Sequence, residues 1–140
     1  MSVENMSQFN IDMSVGRYCG LSMSLEILVN DYTVYSNALP PDHIHIDFDC
    51  ELPGQIKFIV SNKKSFETEI DLGGNIIADK HIKIDRIVID RMPVDQWILE
   101  SRLVEFMGQK TNYFSTNGQA TIIIPTQDSF EFFLDLMNKD

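Results

Sequence analysis

A chain of 140 residues with 44% apolar side chains fits one domain that buries about two-thirds of its unfolded surface, so neither a metal nor a disulfide is required to hold a core. Its 21 acidic against 11 basic residues give a formal charge of −10, which repels polyphosphate and argues against nucleic acid as a partner; no stretch approaches the ~20 apolar residues of a membrane helix. Cys19 and Cys50 are too few for a disulfide framework, and the N-terminus has neither the basic nor the apolar region of a secretory signal. The expectation is cytoplasmic synthesis, with a virion as the alternative destination.

Residues 1–20 are polar and Met-rich without period, which predicts an N-terminal arm or poorly ordered segment ahead of a single domain over 21–140. Met23, Leu25, Ile27 and Val29 then alternate with Ser22, Ser24 and Glu26, and Asn30-Asp31 offers a turn into a partner strand over Tyr32 to Tyr35. After Pro40-Pro41 comes the run His43 to Cys50, a strict alternation in which Ile44, Ile46, Phe48 and Cys50 enter a core while His43, His45, Asp47 and Asp49 form a row on the other face. Pro53-Gly54 ends it.

Gln55 to Val60 and Phe66 to Leu72 flank Ser61 to Ser65 as a second hairpin, and Gly73-Gly74-Asn75 reads as a further turn. Ile82 and Ile84 share one face whereas Ile87 and Ile89 have the opposite parity, which predicts a β-bulge near Asp85-Arg86. From Val94 to Met107 a helical face of Val94, Trp97, Ile98 and Val104, capped by Asp95, competes with a strand; the β flanks favour the strand. Asn117-Gly118 marks a tight turn between Tyr113-Phe114 and Ala120 to Ile124. Alternating Phe130, Phe132, Leu134 and Leu136 make the last segment a strand. Eight to ten short strands at this spacing predict an all-β, antiparallel, jelly-roll-like sandwich, with a barrel as its rival.

Two constellations carry chemistry. Imidazoles two apart on a strand share a face, so His43 and His45 invite a metal, and Asp47 and Asp49 extend the row with oxygen ligands. Cupins use such an HxH pair, but no glycine follows at the cupin spacing and His81 lacks the surrounding motif, so a cupin-like metal-dependent enzyme is the weakest reading. Carboxylates beside turns (Asp42, Asp47, Asp49, Asp71, Asp79, Asp128 and Asp135) offer ligands for Ca2+, although no cofactor is required and no EF-hand loop exists. Around the second constellation, Tyr113, Asn117 and Gln119, with Trp97, Tyr32 and Tyr35 beyond, supply the aromatic faces and amides that a sugar ring needs.

Asp47-Phe-Asp-Cys-Glu-Leu-Pro-Gly54 followed by an apolar strand, with Tyr113-Phe-Ser-Thr-Asn-Gly118 opening a late strand, resembles the small β-sandwich carbohydrate-binding modules, some of which use calcium at the sheet edge. The resemblance covers about half of the chain and implies a carbohydrate ligand. The chain also resembles short orphan sandwiches of bacteriophage genomes, which implies a virion or host-recognition role. No nucleophile elbow, P-loop, dinucleotide fingerprint or HExxH is present, and acid pairs such as Glu67 and Glu69 fit a solvent face better than a glycosidase cleft. A non-enzymatic recognition module with a carbohydrate or protein partner is therefore expected. The alternative is a structural or adaptor protein that forms homo-oligomers through a sheet edge or face.

Overall fold

Period-two patterning dominates the computed structural model, which describes residues 6–64, 68–70, 72–73 and 76–138, without the side chains of 68–70 and 76–79. In chain order the first strands are β1 (Met6–Gly16), β2 (Ser24–Val29), β3 (Tyr32–Asn37), β4 (His43–Glu51), β5 (Gly54–Ser61), β6 (Thr68–Ile70) and β7 (Ile76–Asp79). They continue with β8 (His81–Ile89), β9 (Met92–Pro93), β10 (Glu105–Phe106), β11 (Gln109–Lys110), β12 (Tyr113–Phe114) and β13 (Gly118–Ile124). A helical turn, α1 (Gln96–Ile98), runs on as a π-helical turn over Leu99–Leu103, and α2 (Ser129–Met137) follows β13.

The strands form two antiparallel sheets over one core, an antiparallel β-sandwich. The first sheet has the order β12-β8-β1-β4, with β9 also on β8; the second has the order β11-β10-β13-β5-β2-β3, and β6 pairs with β7 separately. Phe9, Ile11 and Met13 of β1 and Ile82, Ile84, Ile87 and Ile89 of β8 face Leu25, Ile27, Phe58, Val60 and Ile122 across the core. Phe114 links the layers, its ring 6.0 Å from Phe58 and 4.9 Å from Phe106. Burial of a Phe ring from each sheet makes the packing of one sheet a condition for the other.

Local chemistry sets the turns. Asn30 and Asp31 both have positive φ and join β2 to β3 with two residues, the twist-matched hairpin turn that Asn and Asp tolerate best. Met107-Gly108 makes the same kind of turn between β10 and β11. The bulge lies where the phase change places it: Asp12 opposes Arg86 and Met13 opposes Ile84, leaving Asp85 over. Ile44 and Cys50 are buried, with Ile46 and Phe48 packed against the core. Cys19 is exposed and both thiols are free; burial pushes the Cys50 thiol up to about 11.

Five expectations need correction. The segment read as an arm holds β1, an interior strand between β8 and β4, because Phe9, Ile11 and Met13 alternate with Gln8, Asn10 and Asp12. Within 94–107, helix wins over strand at 96–103, where Ile98, Leu99 and Leu103 turn one side inward; Asp95 caps through its carbonyl rather than its side chain. The C-terminal segment is helical: Phe133 breaks the alternation, Phe132, Phe133 and Leu136 bury together, and Asp128 Oδ1 accepts from Phe130 N at 3.0 Å as an N-cap.

Asn117-Gly118 does not close a hairpin, since β12 lies in the first sheet and β13 in the second. Nor do Gln55–Val60 and the segment after Ser65 pair, because β5 is already flanked by β13 and β2. Part of that segment, Asp71 and the Gly74-Asn75 part of the expected turn lie outside the described residues, as do the side chains of Glu67, Glu69 and Asp79.

Candidate functional site

Directly opposed residues build the outer face of the first sheet in rows. One row runs Tyr113, Lys83, Ser14, His43; the next runs Arg86, Asp12, His45; a third runs Val88, Asn10, Asp47. Thus the His/Asp row of β4 and the aromatic Tyr113 share one surface, with β1 and β8 between them. Glu51 lies at the far end of the same exposed row as His43, His45, Asp47 and Asp49.

The charges on this face are matched to one another. His45 Nδ1 lies 2.5 Å from Asp12 Oδ1 and Nε2 lies 2.8 Å from Asp47 Oδ1, so each ring nitrogen faces a carboxylate oxygen. Asp47 Oδ1 also accepts from Asn10 Nδ2 at 2.5 Å. The hydrogen bond to Asp12 is the main cause that raises the His45 pKa above its ordinary 6.5, with the Asp47 charge adding to it. Ser14 Oγ donates to Asp85 Oδ1 at 3.2 Å in the bulge.

This arrangement bears directly on the metal expectation. A histidine ligates a metal through a nitrogen lone pair, and both His45 nitrogens face carboxylates instead. Among the described residues no group of three or more His, Cys, Asp or Glu side chains is arranged to hold a metal ion. His43, His45, Asp47 and Asp49 stand in a row along β4 and, among the described residues, do not converge as a ligand cluster.

The four residues expected to bind ligand are not brought together. Tyr113 is exposed at the β8 edge of the first sheet, its ring stacked on His81 with centroids 4.8 Å apart. Asn117 is a structural tie: its Oδ1 accepts from Lys63 N at 2.9 Å and its Nδ2 donates to Lys63 O at 2.8 Å. Gln119 points outward from the second sheet, opposite Ile59, which lines a shallow cleft of about 280 Å³ with Glu26, Ser36 and Asn37. Trp97 sits on α1 with the Arg102 guanidinium over its ring, 4.5 Å from the centroid. Tyr32 is exposed on β3 and Tyr35 is half-buried against the core.

Sequence reasoning missed Asn10 and Asp12 as partners of the β4 row because their strand was read as an arm. The signal was present in the alternation of Phe9, Ile11 and Met13. It also missed a cavity of about 490 Å³ between α2 and the β11-β10-β13 edge of the second sheet. Only assembly of five elements, β10, β11, β13, α2 and the π-helical turn, creates that space.

No protein-family model matches the chain, and no curated protein matches it. Two solved structures do share its fold. The first is a selenomethionine form of vCBM60, from work linking two families of calcium-dependent carbohydrate-binding modules by circular permutation; it is 14% identical, with a TM-score of 0.53 over 84% of this chain and 90% of that one. The second is vCBM60 in complex with galactobiose, 13% identical, with a TM-score of 0.51 over 83% of this chain and 97% of that one. At such identity the likeness establishes architecture: the chain has the antiparallel β-sandwich fold found in vCBM60, a carbohydrate-binding module.

Proposed function

We propose that the chain is a non-catalytic carbohydrate-recognition module whose glycan lies on the outer face of the first sheet against Tyr113. One observation carries this reading: an exposed tyrosine ring, stacked on His81, ends a row of polar side chains on an open sheet face. A sugar ring offers an apolar C–H face to such an aromatic and hydroxyls to Lys83, Ser14 and His43 beside it. The fold shared with vCBM60, which has been captured with galactobiose, supports the same ligand class. This reading rests on the Tyr113 ring and the row of polar side chains and requires no calcium.

The test is calorimetric titration of the full chain with galacto- and gluco-oligosaccharides. Tyr113→Ala should weaken binding about tenfold or more, whereas Tyr113→Phe should retain it. Binding indifferent to Tyr113→Ala, or absent for every glycan, would sink the proposal. A second reading, an adaptor that binds a protein partner or its own copy, is supported by Phe130, Leu134 and Met137, which leave an exposed apolar stripe along α2. Light scattering after size-exclusion chromatography separates the self-assembling form of that reading from a monomeric module.

A further inference from the structure

The cavity under α2 combines an apolar wall with unpaired charge. Phe132 and Leu136 of α2 form its wall, and Ile123 of β13 stands 62% exposed at its mouth. Glu105 and Lys110 are directly opposed on β10 and β11 and both line the space, yet neither side chain forms an ion pair or hydrogen bond among the described residues. Opposed residues on antiparallel strands have Cβ atoms roughly 5 Å apart, so their long side chains can engage two opposite charges on one small molecule. Arg102 and Asp135 also line the cavity, so its formal charge is balanced within a chain of net charge −10.

We propose that this cavity binds a small aliphatic zwitterion, with its ammonium on Glu105, its carboxylate on Lys110 and its apolar body against Ile123, Phe132 and Leu136. A ligand of either net charge would satisfy one of the two side chains and leave the other opposed by a like charge or unpaired. A purely apolar ligand would engage neither. The volume lies within the range of small-molecule sites, and an aliphatic side chain suits the wall better than a polyol would. This site lies on the second sheet and does not depend on the glycan reading at Tyr113.

The test uses L-leucine, titrated into the full chain and followed by NMR of the Ile123, Leu103 and Leu136 methyl groups. Saturable shifts at these methyls are expected, with isopentylamine and 4-methylpentanoate each binding about tenfold or more weakly. Lys110→Gln should weaken leucine but leave isopentylamine unchanged; Glu105→Gln should weaken leucine but leave 4-methylpentanoate unchanged. Both positions are exposed, so the variants should keep the wild-type thermal midpoint. Ile123→Trp, also at an exposed position, should fill the mouth and abolish the shifts. The proposal is overturned if millimolar leucine gives no saturable shift, if the two half-ligands bind as well as leucine, or if D-galactose produces the shifts and leucine does not.

Discussion

The two outer faces of this sandwich use similar side chains to opposite ends. On the first sheet, Asn10, Asp12, His45 and Asp47 lie on neighbouring strands in adjacent rows, and each finds its partner within hydrogen-bonding distance. On the second, Glu105 and Lys110 are just as closely opposed but remain apart, beside the space that α2 holds open. The difference lies in geometry. A histidine between two carboxylates can satisfy both at once, because its two nitrogens point in different directions. Glu105 and Lys110 have no side chain among the described residues that bonds to both. Chemical richness on a sheet face is thus a poor guide to ligand binding until the mutual satisfaction of its groups is known.

The largest effect should come from breaking what both faces share. Phe114→Ala removes the ring between Phe58 and Phe106 at a fully buried position, and should destabilise the fold by ~3–5 kcal/mol in urea denaturation. Both faces should be lost in one transition. Two separate transitions would mean that the sheets do not depend on each other.

A smaller perturbation should separate the faces. Asp90 accepts from Gln8 N at 2.8 Å and from Ser129 Oγ at 2.6 Å, joining interior strand β1 of the first sheet to the start of α2. Burial pushes its pKa up, but the hydrogen bonds from Ser129 and Gln8 outweigh this and hold the carboxyl below its usual range. Because the folded-state pKa is depressed, the stabilisation is present above the unfolded value near 3.8 and is lost as pH falls through the lower folded value. Asp90→Asn should cost about 1–3 kcal/mol and reduce amide protection in α2 more than in β4. Equal loss of protection in both elements would show that α2 is not a separable part of the second face.

The smallest effect sharpens the account of the first face. His45 should titrate in NMR with a midpoint above 6.5, and Asp12→Asn should move that midpoint down. A raised folded-state pKa means that its contribution is complete below the unfolded value and fades as pH rises through the folded one. A midpoint at or below 6.5 would mean that Asp12 and Asp47 do not favour the charged form of His45.

Much of the sandwich was legible because strands carry a local signature. The β2–β3 turn, the bulge at Asp85 and the buried side of β4 follow from parity and from residues that accept positive φ. Among the described residues the strands number thirteen against the expected eight to ten, four of them, β9 to β12, being pairings only two residues long. The two helices escaped because Val94–Met107 and Phe130–Leu136 fit both periods, and only the packing of Leu99, Leu103, Phe132 and Phe133 decides between them. Nearness in sequence groups Tyr113, Asn117 and Gln119, and chemical type adds Trp97. The chain instead crosses from one sheet to the other between Phe114 and Gly118, and that crossing separates Tyr113 from Gln119.

By itself, the sequence determined the class of fold and which side of most strands faces the core, since side-chain alternation depends only on backbone geometry and the removal of apolar groups from water. The tertiary structure alone decided that His45 is held by two carboxylates, that Asn117 ties down Lys63, and that Glu105 and Lys110 flank a cavity. Each of these depends on strand order and register, which bring together residues far apart in the chain, and no local pattern encodes which strands will be neighbours.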